Sequence, residues 1–119
     1  SASATDMSRM AFDYRQHAGV PLPDDDLAVI TSDLTVRLGD LTACYERRLR
    51  ERPTLAGEIS IHWTIQRDGS VPEQCISHDS VGDPAIATCV NELIKSTTFT
   101  PPVAGEVGVE FPFVFAPQR

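Results

Sequence analysis

Glu58-Ile59-Ser60-Ile61-His62-Trp63-Thr64-Ile65-Gln66-Arg67-Asp68-Gly69-Ser70-Val71 is the stretch that decides the fold. Ile59, Ile61, Trp63 and Ile65 alternate with Glu58, Ser60, His62, Thr64 and Gln66, the period-two pattern of a strand with one buried face. Asp68-Gly69 supplies a turn within the link 67–70. A second strand is predicted from Val71 onward, with Val71, Glu73, Cys75 and Ser77 on one face and Gln74, Ile76 and His78 on the other. Pro72 has no N–H to give a ladder, so it places the start of that strand at an edge or a bulge.

Working outward, the periodicity changes. Before the hairpin, Leu27, Ile30, Leu34, Leu38, Leu41, Tyr45 and Leu49 recur at steps of three or four, one face of an α-helix. Asp24-Asp25-Asp26 suits its start and Arg47, Arg48, Arg50 and Arg52 suit its end, each opposing the nearer pole of the helix dipole. Pro53 stops it; Thr31-Ser32-Asp33 or Gly39 is where it would kink or split. After the hairpin, Asp83-Pro84 is an N-cap followed by a first-turn proline, and Ile86, Cys89, Val90, Leu93 and Ile94 form an inner face. Val107, Val109, Phe111, Phe113 and Phe115 then alternate as a third strand, in which Pro112 marks an edge or a bulge. The predicted fold is α+β, in the order α-β-β-α-β: a two-layer sandwich with a three-stranded antiparallel sheet covered by two helices. Residues 24–119 form the domain, and residues 1–23 read as a tether with a short helical turn at Ser8–Gln16.

The chain of 119 residues suits one small domain. Its net charge of -7 sets it against nucleic acid and anionic membrane surfaces as partners. No apolar run approaches the roughly 18–20 residues that cross a bilayer. Ser1-Ala2-Ser3-Ala4-Thr5 reads as the end of a linker, with any signal or anchor expected upstream of Ser1.

Three cysteines leave two readings open. In an oxidising compartment Cys44 and Cys89 would staple two helices and one thiol would be left over; in a reducing one, all three would be core-type thiols. Cys75 reads as a small filler or a half-exposed strand residue.

Chemistry-bearing clusters are sparse. His62, His78 and Asp79 could be imagined as ligands, but a hairpin that brings the two histidines close leaves a third ligand missing from the obvious places, so no metal is expected. Ser77-His78-Asp79 has no Gly-x-Ser-x-Gly elbow beside it, and Gly105-x-x-Gly108 lacks the Lys-Ser/Thr of a phosphate loop. No catalytic residue, cofactor or small-molecule substrate is expected.

Cys44-Tyr45-Glu46, Leu49, Pro53-x-Leu55-x-Gly57 and Ile61-x-Trp63-x-Ile65, with Asp68-Gly69-x-Val71, Cys89-Val90, Phe99-x-Pro101-Pro102 and Phe111-Pro112-Phe113-x-Phe115, together resemble the AgmX/PglI C-terminal domain, a TonB-like C-terminal domain of gliding bacteria. The resemblance covers residues 27–116; Cys75 lies outside its pattern. It implies a periplasmic module of an inner-membrane-anchored protein that couples a proton-motive-force motor to outer-membrane partners. It also implies a Cys44–Cys89 disulfide; closing a loop of that size is worth roughly 3–4 kcal/mol in the chain-entropy model.

Two functions are expected from this. The first is a binding module that adds an extended peptide from a periplasmic or outer-membrane protein to an open sheet edge, with the strand Val107, Val109, Phe111, Phe113 and Phe115 as that edge. The second is a structural, self-associating spacer that forms a homodimer through exposed parts of Phe111, Phe113 and Phe115.

Overall fold

The computed structural model describes residues 3–5, 15–16 and 24–117. Its elements are β1 (Ser3–Thr5), β2 (Arg15–Gln16), α1 (Asp24–Val36), α2 (Leu38–Leu49), β3 (Gly57–Ile65), β4 (Gln74–Asp79), α3 (Pro84–Ser96) and β5 (Val107–Pro117). The α+β architecture is the predicted one: β5, β3 and β4 make an antiparallel three-stranded sheet in that order, with the helices on one face. β1 and β2 extend it beyond β5.

The two alternating stretches turn out to be neighbours. β3 and β5 pair without a register shift from Gly57 opposite Phe115 to Ile65 opposite Val107. Ile59, Ile61, Trp63 and Ile65 therefore share one face with Val109, Phe111, Phe113 and Phe115, all 0–1% exposed. Trp63 stacks between Phe99 and Phe111, at ring-centroid distances of 5.7 and 6.0 Å. Leu41, Tyr45, Leu49, Ile86, Val90 and Ile94 close this layer from the helix side. Burial raises the pKa of Tyr45, whose hydroxyl donates to the Leu55 carbonyl.

Gly69 holds the hairpin tip against the segment after α3. Its φ is +89°, and its carbonyl accepts from the Phe99 N–H at 2.9 Å. A Cβ at this position would sit 1.9 Å from the Phe99 carbonyl oxygen, so only glycine permits the approach.

Four local details differ from the sequence reading. The first long helix is two helices, broken at Arg37 (φ −93°, ψ 7°) and not at Thr31–Asp33 or Gly39. Thr31 and Thr35 each donate to the carbonyl four residues back, which bends a helix, and the Arg37 side chain pairs with Asp40 at 3.0 Å. Asp26, expected to serve its own helix start, is buried and instead accepts from the Val103 and Ala104 N–H groups. The second strand begins at Gln74, so Val71 and Pro72 lie in the loop before it. Of the helical turn expected at Ser8–Gln16, Arg15–Gln16 is strand and the rest lies outside the described residues.

Cys44 in α2 and Cys89 in α3 form a disulfide with a Cα–Cα distance of 5.8 Å. Nearby, Asp83 caps α3 by accepting from the Ala85 N–H at 3.0 Å. The same carboxylate pairs with Arg48 at 3.1 Å and Arg52 at 3.2 Å. Two arginines that suited the helix end by their charge thus also anchor it to the start of α3. Burial pushes the Asp83 carboxyl upward, but Arg48 and the capped N–H groups outweigh it and hold the pKa below the usual carboxylate value.

Candidate functional site

A sheet meets other chains through backbone groups that its own strands leave unused. In β3, the Thr64 N–H donates to the Glu73 carbonyl at 3.2 Å, and the Glu58 carbonyl accepts from the Ser80 N–H at 2.8 Å, both on the β4 side. Even-numbered residues of β3 therefore turn their N–H and C=O toward β4, and odd-numbered ones toward β5. The residues facing those odd positions are Val107, Val109, Phe111, Phe113 and Phe115. They spend their backbone groups on β3 and their side chains on the core. Gly108, Glu110, Pro112, Val114 and Ala116 send theirs the other way, to the outer side of β5.

This corrects the expectation for the C-terminal strand. Val107, Val109, Phe111, Phe113 and Phe115 do not line an open edge: they are 9% exposed or less, and β5 lies inside the sheet. The spacer reading that used exposed parts of Phe111, Phe113 and Phe115 falls with it. The physical reason is that an alternating stripe shows which face is buried and is silent on whether a strand has one neighbour or two.

The outer side of β5 is only partly covered. Ser3, Ala4 and Thr5 pair with Pro117, Ala116 and Phe115, and Arg15 and Gln16 pair with Glu110 and Val109. Between these pieces, no described strand pairs with Phe111–Val114 on that side. Pro112 falls in this interval, with no N–H to offer an outer partner. Opposite Ser60 the β3–β5 register runs on unbroken, so Pro112 is tolerated by its orientation and not by a bulge. Gly108, Glu110, Val114, Ala116 and the five residues of β1 and β2 were invisible to sequence reasoning. Backbone pairing leaves no side-chain period to find.

The second edge is β4. Among the described residues no strand pairs on its far side. Cys75, Ile76, Ser77, His78 and Asp79 are exposed, Ile76 at 39%. The β3–β4 register shifts between Ser60 and Ile61, which bends this edge. Cys75 keeps a free thiol, 3.9 Å from Nδ1 of His62.

The histidines considered as ligands are spread along the sheet, His62 opposite Cys75 and His78 opposite Ser60. Asp79 accepts from the Val81 and Gly82 N–H groups and so closes a turn. Among the described residues, no group of three His, Cys, Asp or Glu side chains has a metal-holding arrangement. No described helix is long and apolar enough to cross a membrane.

The fold is similar to the solution NMR structure of the Helicobacter pylori TonB C-terminal domain, with a TM-score of 0.53 over 86% of this chain and 88% of that one. The chain has a TonB-like C-terminal fold. At 17% sequence identity, the likeness is one of fold. No family model and no curated protein matches the sequence.

Proposed function

We propose that this chain is a periplasmic protein-interaction module that acts by binding and not by catalysis. It belongs to an envelope-spanning complex coupled to the proton-motive force, in gliding motility or TonB-type transport, with a membrane anchor upstream of Ser1. Its partner is a periplasmic or outer-membrane protein that presents an extended peptide, and the peptide adds as a strand to the outer side of β5.

The observation that carries this reading is that β5 already accepts added backbone there. Two segments roughly a hundred residues away in sequence pair with it antiparallel. Gly108, Glu110, Val114 and Ala116 would supply the donors and acceptors, and tension along the added strand would load those bonds together. Three observations support the setting: the TonB-like fold, the Cys44–Cys89 disulfide, which belongs to an oxidising compartment, and the ordered motifs resembling the AgmX/PglI C-terminal domain.

Backbone-amide NMR titration with extended peptides from periplasmic segments of outer-membrane proteins tests it. Shifts should concentrate at Gly108, Glu110, Val114 and Ala116. Shifts confined to α1, α2 and α3 would contradict strand addition.

The far side of β4, which pairs with no strand among the described residues, has Ile76 exposed beside it and favours a second reading: a spacer that self-associates edge to edge. Sedimentation over a range of concentrations separates the two, because a concentration-dependent dimer lost in Ile76→Lys belongs to the spacer alone.

A further inference from the structure

β1 and β2 run in one direction along β5. From the Thr5–Phe115 pair to the Arg15–Glu110 pair, the N-terminal segment advances ten residues while β5 advances five. A regular antiparallel strand advances one for one. β1 and β2 are therefore an interrupted copy of an added strand, and the interruption falls across Pro112, where β5 has no outward donor. β1 also rests against α2, so this piece is seated on the body of the domain.

We propose that β1 and β2 are a self-supplied stand-in for the partner strand: they occupy the outer edge of β5 and must leave before a partner peptide can pair along its length. This rests on the strand-addition reading. Two short, separated pieces hold few backbone bonds, which alone would make a weak ligand. Being part of the same chain changes that: an intramolecular ligand acts at an effective concentration on the order of millimolar, enough for weak pairing to fill the edge. A partner strand that spans Gly108 to Ala116 without a register jump also uses the outward groups of Gly108 and Val114 and displaces both pieces. The N-terminal segment thus sets a threshold: short or badly registered peptides fail to compete, and a long matching one opens the edge.

The test uses the full chain and its Ala4→Pro/Arg15→Pro variant, in which each proline removes an N–H from a residue opposite Ala116 or Glu110. The Glu110 and Ala116 amides should be protected from hydrogen exchange in the wild type and lose that protection in the variant, while Phe111 and Phe113 stay protected in both. The probe is a synthetic peptide copying residues 1–19. It should bind the variant about tenfold more tightly than the wild type, as expected when about nine-tenths of the wild-type edge is self-occupied, and it should restore protection at Glu110 and Ala116. Arg15→Pro alone should give a smaller gain, which keeps the test decisive if the double variant folds poorly. Equal exchange at Glu110 and Ala116 in the two proteins, or equal affinity for the probe, would overturn the proposal. The strand-addition function fails separately, if periplasmic partner peptides leave the β5 amides unshifted even in the opened variant.

Discussion

β5 has two seams that share one strand and differ in almost everything else. Toward β3 it pairs over nine consecutive positions, and the residues that face β3 also bury their side chains in the aromatic core. Toward β1 and β2 it pairs over three positions and then two, with Pro112 in the gap. The inner seam couples backbone bonding to apolar burial, so it opens only when the domain unfolds. The outer seam rests on far fewer pairs, so it opens locally and at much smaller cost. One strand can thus be both the structural centre of a domain and its exchangeable surface, because alternation assigns consecutive residues to opposite duties.

The largest effect should come from the inner seam. Phe113→Ala removes a fully buried ring and should cost about 3–5 kcal/mol, read from urea unfolding. Next comes the brace between the helices. Replacing both Cys44 and Cys89 with alanine should cost roughly 3–4 kcal/mol in the same assay and leave exchange at the outer seam little changed.

Asp83 should follow. Asp83→Asn weakens the Arg48 and Arg52 pairs and should cost about 1–2 kcal/mol at neutral pH. Its pH dependence has a definite sign. The folded-state pKa lies below the unfolded value, so the stabilisation is complete above the ordinary carboxylate range and is lost as pH falls through the folded-state pKa. The variant should therefore show a shallower loss of stability with acid than the wild type. The smallest effect belongs to the outer seam: Ala4→Pro should change global stability by less than about 1 kcal/mol while speeding exchange at Ala116. A loss as large as that of Phe113→Ala would erase the distinction between the seams.

What was legible in the sequence follows the same division. Side-chain periods exposed the buried faces of the inner seam, Ile59 to Ile65 and Val107 to Phe115, but not that these two strands are neighbours. Asp83-Pro84 marked the start of α3 because capping chemistry is local. The break at Arg37 was misplaced because the stripe of leucines runs through it, and the bend depends on hydroxyl-to-carbonyl bonds that composition does not advertise. Asp26 looked like a helix-start carboxylate because its partners, Val103 and Ala104, are far away in sequence. The outer seam was read only in part: the strand was named, but by its inward-facing residues. Pro112 did signal an edge-like position, but Ser3–Thr5 and Arg15–Gln16 are too short to carry a pattern that reveals the pairing.

Amide-resolved hydrogen exchange along β5 of the full chain tests the two-seam account most directly. Val109, Phe111 and Phe113 should exchange only with global unfolding. Glu110 and Ala116 should exchange faster, through local opening, and Val114 faster still. Equal protection at odd and even positions from Val109 to Ala116 would contradict it.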